Sequence, residues 1–232
     1  VADTPESLSL AVIPFKAVNL REDTGEHRNE IKYFCHSLFD ALLVGLARVK
    51  GLRVVPRTFA LKITKPGKAL ARVGQQLDAD RLLVGTVERR DDHFVAVLTL
   101  LDVRANAAIW TKRYEAPAED LFHVRDEVVR DVAAECRLIA AVSTKLQPRK
   151  VRDRQAFQLC LKGRFFWASR YEDKLLEALE CFRGAIKLDP GLALAHAGLA
   201  DTYSFLGFYS LMRPRTAFAE AKAQALEALT LD

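Results

Sequence analysis

A chain of 232 residues and 26.0 kDa can build one or two cores of ordinary size. Half of its residues are hydrophobic and 28% are charged, a balance that excludes disorder as the main state, and its apolar runs fall far short of the roughly 18 residues that a membrane span requires. The net charge of +5 is less than a dedicated nucleic-acid binder usually carries, and it is spread evenly, with 22 basic against 20 acidic residues in 1–147 and 13 against 10 in 148–232.

Leu8 to Phe15 is a compact β-prone run closed by Pro14, apolar enough for a strand buried on both faces. A polar, acidic loop over 19–30 follows. Ile31, Phe34/Cys35, Leu38, Leu42, Leu46 and Val49 then recur at three and four residues, which predicts an amphipathic helix from about Asn29 ended by Gly51. Leu52 to Pro56 reads as a second strand, so strand, crossover helix and strand form a βαβ unit with parallel strands. A short helix over Ala69–Leu77 leads to a third strand, Arg81–Val87. Asp91-Asp92 turns the chain into His93–Val103, with Phe94, Ala96, Leu98 and Leu100 on one face and Val95, Val97, Leu101 and Val103 on the other. Two apolar faces require layers on both sides, or an interface where one layer is missing. A turn at 104–107, a strand over Ala108–Tyr114 and a helix from Glu119 to about Leu146 complete a mixed α/β sheet domain in the order β-α-β-α-β-β-β-α, assigned to residues 1–147.

Pro148-Arg149-Lys150 marks a linker, after which strands cease and residues 148–232 read as two helical hairpins, an all-α helical-repeat segment. Gly163 recurs as Ala200, 37 residues on, and Ala185 as Ala228, 43 residues on. Leu188-Asp189 recurs as Leu231-Asp232.

The chemistry-bearing residues form no recognisable catalytic set. The five histidines and Cys35, Cys136, Cys160 and Cys181 lack zinc spacing, so no metal and no cofactor is expected. The cysteines read as small core residues, weakly favouring a reducing, cytoplasmic setting; a periplasmic one would need a membrane anchor upstream. No GxSxG, HExxH, Walker or GxGxxG string occurs, and Asp126-Glu127 and Asp131 read as partners of Arg125 and Arg130 along a solvated helix face. The expectation is a protein without enzymatic activity. One local asymmetry stands out: Ala41–Leu77 holds Arg48, Lys50, Arg53, Arg57, Lys62, Lys65, Lys68 and Arg72 with no acidic residue. It is either an anion-binding or nucleic-acid-binding face, with Arg57, Lys62, Lys65 and Lys68 as its candidates, or a solvated rim whose counter-charges lie elsewhere.

Two resemblances add to this. Leu188-Asp189-Pro190 followed by Ala193, Ala195, Leu199-Ala200 and Tyr203 resembles a tetratricopeptide (TPR) repeat junction, in which small residues let helices approach closely and the Pro opens the next repeat. The second hairpin ends before its expected Pro, which suggests a fragment. Residues 8–146 resemble the TolB amino-terminal-like domain of bacterial multidomain regulators. The resemblance rests on Ala11-Val12-Ile13-Pro14-Phe15, Tyr33-Phe34 ahead of Ser37-Leu38, Gly51-Leu52-Arg53-Val54-Val55-Pro56-Arg57-Thr58, and Val73-Gly74-Gln75-Gln76-Leu77-Asp78-Ala79-Asp80. It continues through Leu83-Val84-Gly85-Thr86-Val87-Glu88-Arg89, Ile109-Trp110 with Arg113-Tyr114, and Asp120-Leu121-Phe122 with Arg125-Asp126-Glu127.

In that family the domain precedes TPR repeats and commonly follows a winged-helix DNA-binding, nucleotide cyclase or Ser/Thr kinase domain, none of which is in this sequence. The resemblance implies a signalling or transcription-regulating segment that binds a protein or peptide in a TPR groove, with a small effector on the α/β domain. Any nucleic-acid contact would come through a domain outside this sequence. On the groove reading, Phe157, Arg164, Trp167, Asp201, Ser204 and Phe205 share the inner faces of successive first helices, while Phe166 enters the repeat core. Trp167 could equally pack against the α/β domain, since aromatic side chains dominate such contacts too.

Overall fold

The computed structural model describes residues 8–18, 25–63, 70–91, 93–136 and 152–231. The chain divides into two compact units, Val1–Thr144 and Lys145–Asp232. No helix among the described residues is long and apolar enough to cross a membrane.

In the first unit the opening strand is broken where Pro14 withholds its N–H from the ladder. β1 (Leu8–Val12) and β2 (Lys16–Ala17) both run parallel to β4 (Arg81–Arg90). The helix α1 (Gly25–Leu46) starts earlier than its apolar period suggests, taking up part of the expected loop. Gly51 supplies a positive φ of 84° where α1 turns into β3 (Leu52–Val54), which pairs parallel to β1. Two short helices follow: α2 (Arg57–Ile63), which the apolar pattern does not reveal, and α3 (Leu70–Gln76). β4, β5 (His93–Asp102) and β6 (Ala107–Pro117) form an antiparallel meander, giving the order β3-β1-β4-β5-β6. A short 3-10 turn leads into α4 (Leu121–Glu135). The expected extension of that helix to Leu146 lies outside the described residues.

One face of the sheet carries the main core. Leu10, Val12, Leu83, Leu98 and Leu100 are buried there, together with Phe34, Leu38 and Leu42 of α1 and Val124, Val128 and Val132 of α4. Phe34 stacks on Phe94 at 4.3 Å. Tyr114 donates to Asp131 at 2.6 Å and Lys112 pairs with the same carboxylate at 2.8 Å, pinning α4 to β6. Burial and the Asp131 hydrogen bond both push the Tyr114 hydroxyl up. On the opposite face Ala11, Ile13, Val55, Val73, Leu77, Leu82 and Val103 close a second, smaller cluster. That cover does not extend along β5, where Val97 is 37% exposed. The second layer is therefore partial.

The second unit is all helix: α5 (Arg154–Ser169), α6 (Glu172–Leu188), α7 (Ala193–Phe208) and α8 (Pro214–Leu231). Asp153 caps α5 by accepting from the Ala156 N–H at 2.8 Å. α6 packs against both α5 and α7, α7 also against α5, and α8 against α7. The ring of Phe182 on α6 explains two of the glycines. A Cβ at Gly163 would lie 2.9 Å from it and one at Gly198 would lie 2.3 Å away, so bare backbone on α5 and on α7 forms the slot that holds the ring.

Candidate functional site

The α5 and α7 helices bring four of the six groove candidates together. Arg164 faces Asp201 at 3.7 Å, and the Trp167 ring meets the Phe205 ring edge-on at 5.6 Å. Ser204 is half-buried, its hydroxyl donating to the Ala200 carbonyl at 2.9 Å within its own helix. Phe157 does not belong to this face. It is 1% exposed, in register with Cys160 and Leu161 on the buried stripe of α5. Phe166 is also corrected: it is half-buried rather than core, with the Lys162 and Lys174 ammonium groups 5.8 and 5.2 Å from its ring.

Arg170 joins the cluster without a signal in the sequence. Its guanidinium carbon lies 3.7 Å from the Trp167 ring centroid and 3.8 Å from that of Phe205, a cation held between two aromatic faces. Arg170 caps α5 in the left-handed conformation at φ 64°, a position where glycine is the usual residue. Phe205 continues the aromatic row to Tyr209 at 5.9 Å, and Tyr209 meets the exposed Phe208 at 5.3 Å.

Burial pushes the Asp201 carboxyl up, while the charges of Arg164 and Arg170 pull it down. With 48% of that side chain open to water, solvent screens both effects. The indole N–H of Trp167 is buried with no acceptor among the described residues. The arrangement is therefore an aromatic and cationic surface with one half-open carboxylate.

The basic stretch is disposed differently. Arg57 donates to Asp40 at 2.9 Å and lies 2.8 Å from His36 Nε2, while Arg53 pairs with Asp78 at 3.0 Å. Asp40 and Asp78 flank the acid-free window at its two ends, and the fold folds them back onto it. Lys65, Lys68 and the side chain of Lys62 lie outside the described residues.

Among the described residues no group of three or more His, Cys, Asp or Glu could hold a metal ion. Burial pushes the Cys35 and Cys160 thiols up to about 12, which leaves them protonated at neutral pH. Asp126 is held by Arg125 at 2.6 Å.

No family model matches the chain. The putative adenylate cyclase 3 of Rhizobium meliloti (strain 1021) is 28% identical over 200 residues, which cover 84% of this chain and 32% of that protein. The chain thus spans about a third of the length of that relative. Among solved structures, TolB from Acinetobacter baumannii aligns at a TM-score of 0.40 and 16% identity, covering 56% of this chain and 28% of that one. Lipoprotein GNA1162 from Neisseria meningitidis aligns at 0.38 and 17%, covering 54% and 96%. A PelC dodecamer from Paraburkholderia phytofirmans aligns at 0.33 and 15%, covering 56% and 87%. Similarity at these identities concerns fold and says nothing of ligand or partner.

Proposed function

We propose that the chain is a non-catalytic regulatory segment of a larger bacterial signalling or transcription-regulating protein. In this reading an α/β module of the TolB amino-terminal type, residues 1–147, is joined to two TPR-like hairpins, residues 148–232, which receive a protein or peptide. Occupancy is relayed to an attached output domain. The match to a third of a putative adenylate cyclase supports a cyclase as one such output.

The observation that carries the reading is the α5–α7 cluster of Arg164, Trp167, Arg170, Asp201 and Phe205. Aromatic and arginine side chains are the residues that concentrate binding energy in interfaces, and here they lie together on α5 and α7. The raised thiols of Cys35 and Cys160 support the absence of cysteine chemistry. A peptide array screened with the full chain, followed by calorimetry on the best ligand, tests the proposal. Trp167→Ala and Phe205→Ala should each weaken that ligand at least tenfold while the circular dichroism spectrum is unchanged. Binding that survives both substitutions would remove the site from α5 and α7.

A further inference from the structure

The turns at one end of the helical unit form a second surface. Trp167 in the last turn of α5 meets Phe205 in the last turn of α7 at 5.6 Å, so the two helices end side by side and the turns that follow them share one edge. Aromatic side chains stand out from that edge. Tyr171 between α5 and α6 is 71% exposed, and Phe208 and Tyr209 at the end of α7 are 73 and 47% exposed. These rings are not left bare by the end of the repeat array. The α5–α6 turn is followed by a complete hairpin and Tyr171 is nevertheless as open as Phe208, so another hairpin after α8 would leave the α7–α8 turn exposed in the same way.

The α7–α8 turn holds its rings in place. The Leu211 and Met212 N–H groups donate to the Leu206 carbonyl at 2.9 and 3.2 Å, the Ser210 N–H donates to the Gly207 carbonyl at 3.2 Å, and Ser210 takes a positive φ of 59° that reverses the chain. Arg213 and Arg215 follow, both exposed, and residues 202–219 contain no Asp or Glu. Of the carboxylates flanking the two turns, Asp201 faces Arg164 at 3.7 Å and Asp173 faces Lys174 at 3.7 Å. Glu172 has no such partner among the described residues and is the acidic side chain left at this edge, against two arginines.

We infer that this edge docks on an anionic lipid bilayer, with Phe208 and Tyr209 entering the headgroup layer and Arg213 and Arg215 against the anionic headgroups. Aromatic rings settle at headgroup depth, and a surface-bound segment joins exposed apolar side chains to flanking cations. Each arginine near an anionic leaflet adds to the attraction. Shape favours a bilayer over a protein. Turn tips are convex, and a protein partner seats its anchoring side chains in pockets, whereas a bilayer yields to whatever enters it. The attachment is peripheral and reversible, because two rings and two cations supply far less than a spanning helix, and no helix among the described residues is long and apolar enough to cross a membrane.

Co-sedimentation of the full chain with vesicles of equal parts phosphatidylcholine and phosphatidylserine tests the inference. Binding should be at least tenfold tighter than to phosphatidylcholine alone and should weaken as salt is raised. Phe208→Ser with Tyr209→Ser, both at exposed positions, should abolish it. Arg213→Gln with Arg215→Gln should weaken it at least tenfold, at about fivefold for each charge removed. Glu172→Gln should strengthen it, a gain that misfolding cannot produce. Leu226→Ser with Leu229→Ser, on the exposed side of α8, should leave it unchanged.

No binding to the mixed vesicles would overturn the inference, as would equal binding to both kinds of vesicle. So would binding that survives Phe208→Ser with Tyr209→Ser, or that is lost with Leu226→Ser and Leu229→Ser, since either result would place the attachment elsewhere.

Discussion

Gly198→Ala tests how the second unit is held together. In an isolated helix the change is favourable by about 1 kcal/mol, because alanine loses less backbone entropy than glycine. Here the new Cβ would stand 2.3 Å from Phe182 Cε1 and 2.4 Å from Cζ, where carbon contacts settle at about 3.5–4.0 Å. The ring has little room to swing aside, since the same edge also lies against Gly163, where an added Cβ would be 2.9 Å away. Overpacking of this kind costs about 1–3 kcal/mol, and the short approach puts it at the upper end, for a net loss of about 2 kcal/mol. Urea denaturation of the full chain in a Trp110→Phe background lets Trp167 report on the helical unit alone. The midpoint should fall by about 1 M for a slope of about 2 kcal/mol/M. Phe182→Ala costs about 3–5 kcal/mol on its own, but with the ring gone Gly198→Ala should become neutral or stabilising. The coupling between the two sites is then about 2–3 kcal/mol. A Gly198→Ala penalty that persists undiminished in the Phe182→Ala background would refute the slot as its cause.

Leu98→Asp places a carboxylate on a fully buried position of β5 and should cost several kcal/mol, enough to unfold a domain of ordinary stability; a soluble variant with an unchanged melting curve would contradict the strand assignment. Asp80 accepts from the Ser9 N–H at 3.0 Å and its hydroxyl at 2.8 Å, and these bonds hold its carboxyl below the usual value of 3.8. A carboxyl lowered by folding stabilises the native state above its unfolded pKa and loses that contribution as pH falls through the folded one. Asp80→Ala should therefore be about 1–3 kcal/mol less stable at pH 7, with the gap narrowing below about pH 4 in acid titrations followed by circular dichroism. Arg170→Gly and Arg170→Ala lose the same contacts with Trp167 and Phe205, yet only glycine is at ease at φ 64°. The alanine variant should be less stable by about 1 kcal/mol, and equal midpoints would discount the backbone strain.

Elements with a sustained apolar period were legible in the sequence, and those fixed by a single contact were not. Leu98 and Val97 alternate in β5 with equal hydrophobicity, so the sequence shows two apolar faces. It does not show that α1 and α4 cover one face while the other is left half open at Val97. α2 escapes notice because Arg57–Ile63 is too short to display a helical period and carries basic residues within it. The same limit applied to the residues expected on the inner helix faces. Arg164, Trp167, Asp201 and Phe205 follow from helical spacing, but Phe157 shares that spacing with the buried Cys160 and Leu161, and hydrophobicity alone cannot say which side an aromatic takes. Arg170 depends on a left-handed cap and on two rings 38 residues apart in sequence, Trp167 and Phe205, neither of which any local pattern encodes.

The basic stretch shows why a window of sequence misjudges electrostatics. Counted along the chain, Ala41–Leu77 is a block of eight cations without a carboxylate. Counted in space, Asp40 from α1 reaches Arg57 at the start of α2, and Asp78 from the turn after α3 reaches Arg53 on the edge strand β3. Each of those acids lies a single residue beyond the window. At ion-pair distance in a protein surface the attraction is several times its value at sequence-remote separations, so among the described residues Arg53 and Arg57 are engaged locally before any ligand arrives. Arg57 can join an anion site built on this stretch only if a ligand displaces Asp40. Such displacement predicts anion binding that strengthens in an Asp40→Asn variant, measured as inorganic phosphate affinity at low salt. Unchanged affinity in that variant would leave Arg57 as a structural partner of α1 and nothing more.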